Sequence, residues 1–254
     1  MSKVNLKLVD DDTYNEVFFE KSPRSRTRGR KNTKTPVNTK QEQGNHYTKN
    51  IKAKTDGQAV LLSSLESNTI VFVTGCAGTG KTYLTVSKAL RDLEQGKIKK
   101  IIFSRPAVEA GEKLGFLPGS PTEKVDPYMR PIYDVCSERV SPVKFKNWLA
   151  DGTIEVAPLA FMRGRTLKNC AIILDEAQNA TYTQLKMILT RLGLNSYIVF
   201  SGDLEQYDLP EGQSGLKTMI SNLEYKNIKG LDIVRLDEKD VIRNPILKDI
   251  IKHL

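Results

Sequence analysis

One stretch constrains this chain more than any other: Thr69-Ile-Val-Phe-Val-Thr-Gly75-Cys76-Ala77-Gly78-Thr79-Gly80-Lys81-Thr82. Its first part, Ile70–Thr74, is apolar and rich in β-branched residues, so it reads as a buried strand. It runs directly into G-x-x-x-x-G-K-T. The glycines let a loop curl until its backbone N–H groups converge on one point. There Lys81 can reach the β- and γ-phosphates of a nucleotide, and the Thr82 hydroxyl can hold Mg²⁺. A helical pattern begins at Lys81, so the positive end of a helix adds to the same phosphate site. The local fold is therefore strand, loop and helix, with Gly75 to Thr82 as the nucleotide-binding loop.

Two further strands end in polar clusters. In Cys170-Ala-Ile-Ile-Leu-Asp175-Glu176-Ala-Gln178 a short apolar run delivers two acids at its carboxyl end. In phosphate-loop ATPases the first acid, here Asp175, holds Mg²⁺ through water. The second, Glu176, can orient and activate the attacking water. The bland alternative is a helix N-cap, since acids suit a first turn. In Tyr197-Ile-Val-Phe-Ser201-Gly202-Asp203-Leu-Glu-Gln206 the Gln206 amide can sense a γ-phosphate or position water, and Asp203 can hold the loop. A solvated glycine turn is the alternative.

From residue 56 onward strands and helices alternate. Strands are expected at Ile70–Thr74, Ile101–Ser104, Ile154–Ala157, Ala171–Leu174, Tyr197–Ser201 and Asp232–Leu236. Helices are expected at about 81–94, 122–138, 143–150, 181–192, 214–222 and 245–253. Alternation of this kind predicts an α/β fold, a mostly parallel sheet with helices on both faces. Pro118, Pro121, Pro127 and Pro131 suggest an irregular insertion after the second strand. The expected organisation is a flexible segment with a basic linker over 1–55 and one ATPase domain over 56–254.

Composition narrows the function. The chain has 254 residues and a net charge of +9, which favours a polyanionic partner. Lys21 to Lys40 holds basic residues, Ser, Thr and Pro with almost nothing apolar, so it cannot offset its own ordering entropy and is expected to be disordered. It serves either as an arm on phosphate backbones or as a solvated tether. Cys76, Cys136 and Cys170 form no C-x-x-C pair, which argues against a disulfide framework or a zinc site. No apolar run is long enough to span a membrane, and the N-terminus does not read as a secretory signal. The expectation is a cytoplasmic protein with no membrane partner.

Gly75–Thr82, Leu174–Gln178 and Gly202-Asp-x-x-Gln206 resemble motifs I, II and III of superfamily 1 helicases. Ser104-Arg-Pro-Ala-Val-Glu-Ala-Gly-Glu-Lys-Leu-Gly-Phe-Leu-Pro-Gly119, Lys124–Tyr133 and Leu159–Thr166 are similar to signature blocks of the PhoH family. The resemblance spans about residues 56–254 and implies a single RecA-like ATPase domain that uses ATP and Mg²⁺ and acts on RNA or single-stranded DNA. It implies that Gln58 reads the adenine edge, and that Arg105 and Lys113 meet nucleic-acid phosphates, a salt-bridged turn being the alternative for those two residues. Longer relatives carry an appended nuclease or nucleic-acid-binding module, and the residues before 56 are too few for one. Asn244 stands where the family usually has His, after Arg243. A lone RecA-like domain needs an arginine from a neighbour, so a homo-oligomer, most simply a hexameric ring, is expected. Arg163, Arg165, Arg191 and Arg243 are the candidates, with Arg243 also assigned to the nucleotide. The alternative function is a nucleotide-switched assembly or scaffold ATPase that separates no strands.

Overall fold

The computed structural model describes residues 51–106, 121–206, 208–209 and 214–242, with backbone alone over 121–128. The basic stretch 21–40, Lys113, Pro118, Arg243, Asn244 and the helix expected over 245–253 lie outside the described residues. Six strands form the sheet: β1 Ile70–Thr74, β2 Lys100–Ser104, β3 Ile154–Val156, β4 Cys170–Leu174, β5 Tyr197–Gly202 and β6 Leu231–Arg235. They run in the order β3-β2-β4-β5-β1-β6, and every pairing is parallel. The helices are α1 Asp56–Ser67, α2 Lys81–Glu94, α3 Pro121–Arg139, α4 Pro142–Ala150, α5 Tyr182–Leu189 and α6 Gly215–Leu223. Each strand predicted from apolar runs is present, within a residue or so at its ends.

A parallel sheet needs both faces covered, because crossover helices lie on each. Phe72, Ile102, Ile172 and Phe200 face a core closed by Leu185 and Ile188 of α5 and by Leu216, Met219 and Ile220 of α6. The alternating residues point the other way. Ile101, Phe103 and Ile173 pack on Val86, Ala89 and Leu90 of α2 and on Met129 and Ile132 of α3. Val71, Val73 and Val199 pack on Leu61 and Leu65 of α1. Phe72 and Phe200 are register partners whose rings stack 4.6 Å apart, both fully buried. Phe200→Ala is expected to lose about 3–5 kcal/mol, from lost transfer energy plus the cavity left behind. A urea midpoint that falls at an unchanged denaturant slope would check this.

Two elements depart from the sequence expectation. Helix α1 was not expected, since Gly57 and three serines have weak helix propensity. Its start is nonetheless encoded: Thr55 caps it by accepting from the Gln58 N–H, and Leu61 and Leu65 fall one turn apart on the buried face. Gly57 is also required there, because a Cβ would collide with the Asp240 carboxylate. The helix expected to reach 192 ends at Leu189. Leu192 instead bridges to Leu167 in parallel, and the Leu167 N–H donates to the Arg191 carbonyl at 2.8 Å.

Candidate nucleotide site

Side chains at the carboxyl ends of β1, β4 and β5 converge because those three strands are adjacent in the sheet. Ligands in open α/β sheets bind at such ends. A cavity of about 290 Å³ opens there. Ala77, Gly78, Gly80, Lys81, Thr82, Asp175, Glu176 and Gln206 line it together with Tyr83, Ser201, Gly202 and Asp203.

The loop's shape depends on its glycines. Gly75 has φ 151, and a Cβ on it would sit 2.5 Å from the Leu236 carbonyl oxygen. Gly80 has φ 88 and precedes α2 without a side-chain cap, so the first N–H groups of that helix are left for a ligand. Cys76 and Thr79 brace the loop: the buried Thr79 hydroxyl donates to the Cys76 carbonyl at 2.9 Å. Lys81 donates to the Gly75 and Cys76 carbonyls, the latter at 2.9 Å. Burial pushes its ammonium below the usual lysine range, while Asp203, Glu176 and Asp175 pull it back up.

The predicted metal pair is joined. The Thr82 hydroxyl donates to Asp175 Oδ1 at 3.0 Å. Asp175 is 4% exposed. Burial pushes its carboxyl up, Glu176 adds to that, and Arg105 with the Thr82 hydrogen bond opposes it. Asp203 is buried beside them, and among the described residues its Oδ2 has no hydrogen-bond partner. A hydroxyl, a buried carboxylate and an unpaired carboxylate oxygen suit Mg²⁺, which takes one or two protein oxygens and completes its shell with phosphate and water. These donors fit the ion. A raised carboxyl means that the ionised form weakens folding as pH climbs from the unfolded value through the folded one. Asp175→Asn keeps an acceptor for Thr82 and removes that charge. It should raise the apo melting temperature at neutral pH, by about 2–4 °C per kcal/mol relieved. A calorimetric scan of wild type and variant without ligand measures the shift.

Glu176 sits in the left-handed region at φ 51, uncommon for a residue with a side chain and concentrated at functional sites. Arg105 Nη2 donates to its Oε1 at 2.6 Å, and Gln178 Nε2 donates to its Oε2 at 2.6 Å. Gln178 Oε1 in turn accepts from the Asp203 N–H at 3.0 Å. Asn179 clasps Asp208 through two hydrogen bonds, 2.8 and 2.9 Å. The loop carrying Gln206 is thus pinned to the turn after β4. The sequence assigned no role to Gln178 or Asn179, and it offered Arg105 either a nucleic-acid phosphate or a salt-bridged turn, without naming Glu176 as its partner.

Gln58 lies elsewhere. It is buried, its Oε1 accepts from the Lys54 N–H at 2.9 Å, and its Nε2 donates to the Thr79 carbonyl at 2.9 Å. Its amide braces the loop from outside the cavity. Arg163, Arg165 and Arg191 do not line the cavity. Arg163 is exposed, Arg165 forms a two-pronged ion pair with Glu155 at 2.6 and 2.9 Å, and Arg191 donates to the Arg165 carbonyl. Among the described residues no helix is long and apolar enough to cross a membrane.

A family model described as PhoH-like protein matches residues 50–254. A PhoH-like protein of Bacillus subtilis strain 168 is 51% identical over 205 residues, covering 80% of this chain and 64% of its own. Protein PhoH of Escherichia coli K12 is 43% identical over 202 residues, covering 78% of this chain and 56% of its own. This chain therefore spans less than two thirds of the length of these relatives. Among solved structures, the large terminase from a thermophilic bacteriophage superposes with a TM-score of 0.48 at 10% identity, covering 78% of this chain and 49% of that one.

Proposed function

The chain belongs to the PhoH-like protein family, and on that premise we propose that it is an ATP- and Mg²⁺-dependent ATPase stimulated by RNA or single-stranded DNA, and in the fullest form of this reading a helicase. The observation that carries the reading is the convergence of Lys81, the Thr82–Asp175 pair, Glu176 and Gln206 on one cavity. Lys81 stabilises the charge that builds on the transferred phosphoryl group. Thr82 and Asp175 hold Mg²⁺, which when bound supplies charge neutralisation at the β- and γ-phosphates. Glu176 polarises the attacking water, and Gln206 reports the γ-phosphate through its pinned loop. The net charge of +9 supports a polyanionic partner. Residues 56–254 act as the ATPase domain in this reading, preceded by the basic segment.

The same reading extends to assembly. Because Arg163, Arg165 and Arg191 lie off the cavity lining, the arginine that completes the site is Arg243 or one from a neighbouring copy. A closed hexamer supplies the latter. Light scattering of the hydrolysis-deficient Glu176→Gln variant with MgATP is the check, and a monomer would return the role to Arg243.

Phosphate release titrated with single-stranded RNA, single-stranded DNA and duplex tests the function itself. Rates should climb with the single strands and show the salt dependence of phosphate contacts. A steady rate indifferent to all three would favour the nucleotide-switched scaffold instead.

A further inference from the structure

Both oxygens of the carboxylate expected to polarise water are already engaged. Strand pairing enforces this. Ser104 at the end of β2 is the register partner of Leu174 at the end of β4, and the Asp175 N–H donates to the Ser104 carbonyl at 3.0 Å. Arg105, one residue past Ser104, and Glu176, two past Leu174, are thereby brought within reach of each other. The guanidinium takes Oε1 and the Gln178 amide takes Oε2, each at 2.6 Å. Gln178 cannot turn its amide round, because its oxygen is committed to the Asp203 N–H. A carboxylate that accepts from two protein donors has fewer lone-pair sites left to hold a water.

We propose that Arg105 is a positioning residue that latches Glu176 in the nucleic-acid-free protein, and that a backbone phosphate of a single strand releases the latch by taking the guanidinium. The two non-bridging oxygens of a phosphodiester offer a guanidinium an anionic, two-oxygen partner as a carboxylate does, so the arginine keeps its charge partner through the exchange. The pair is reachable: the side chains of Arg105 and Glu176 are 20% and 37% exposed. Gln178 keeps its hold on Glu176 through the exchange, so the freed oxygen has a fixed direction in which to meet water. The inference rests on the ATPase reading above. It adds the way nucleic acid reaches the chemistry.

The test is steady-state phosphate release by wild type, Arg105→Ala and Arg105→Lys, each with and without polyuridylate. Without polyuridylate, Arg105→Ala should turn over about fivefold faster than wild type, the upper range for a partly exposed ion pair. KM for ATP should stay unchanged, and stimulation by polyuridylate should shrink by the same factor. Arg105→Lys still pairs with Glu176 and should keep the low basal rate. A basal rate for Arg105→Ala at or below wild type, with wild type itself stimulated, overturns the latch and leaves the ATPase standing. A raised KM for ATP would also overturn it, because the guanidinium would then serve the γ-phosphate. Wild type that releases no phosphate under either condition removes the ATPase reading and the latch with it.

Discussion

Lys81→Ala is expected to cut ATP hydrolysis by about 10²–10³-fold, the scale seen when one preorganised donor to developing charge is removed. Lys81 leads into the cavity from the first residue of α2 and, among the described residues, donates to the loop carbonyls of Gly75 and Cys76. No core side chain depends on it. The ammonium is held below its usual range by burial, so it carries a desolvation cost in the absence of phosphate. Removing it should leave the melting temperature nearly unchanged. It should also leave Asp175, Glu176 and Asp203 without the ammonium that offsets their charge, Arg105 remaining on Glu176 alone of the three by hydrogen bond. Nucleotide binding should therefore weaken along with turnover. Calorimetric titration of MgATP, phosphate release and a thermal scan on the same preparation read out all three effects. Wild-type turnover in a folded Lys81→Ala protein would mean that the cavity is not the site of chemistry.

Glu176→Gln should separate binding from hydrolysis. The substitution keeps size and shape but removes basicity, and general-base loss costs about 10²–10⁴-fold. The structure adds a second consequence. Gln178 presents its amide N–H₂ to Glu176 Oε2 and cannot flip, because its oxygen accepts from Asp203. A glutamine at 176 that keeps its oxygen on Arg105 must turn its own N–H₂ toward Gln178, donor against donor. One hydrogen bond near the Gln206 loop is lost, at about 1 kcal/mol. The expected variant binds MgATP with near wild-type affinity, hydrolyses it poorly and melts slightly earlier. Rapid filtration of bound nucleotide, scored as ATP or ADP, distinguishes trapped substrate from a folding defect.

Much of the architecture was legible because buried parallel strands announce themselves as continuous apolar runs. Ile70–Thr74 is such a run and forms a strand at those bounds. Cys170–Leu174 is buried at every position, and two acids follow it. The phosphate loop was legible because only glycines tolerate its backbone, as φ at Gly78 and Gly80 shows. Helix α1 was not, since its amphipathic signal is weak and its capping residue stands beside a glycine fixed by the distant Asp240. The Arg105–Glu176 pair could not be read at all. It joins residues 71 apart in sequence and exists because β2 and β4 are neighbours in a particular register. Gln178 was visible as a letter of a motif, but its dual hydrogen bonding depends on β5 lying beside β4. Gln58 shows the converse: a residue flagged through resemblance stands at the loop, with its amide committed to Lys54 and Thr79.

We propose that Mg²⁺-dependent hydrolysis of ATP takes place in the cavity beside Asp175 and Glu176. Its most direct measurement is phosphate release by the wild-type chain with single-stranded RNA at saturating ATP, in Mg²⁺ and then in excess EDTA. The account predicts sustained turnover in Mg²⁺ that falls to background in EDTA and is absent in Glu176→Gln. Turnover that survives EDTA, or that Glu176→Gln retains in full, would contradict it.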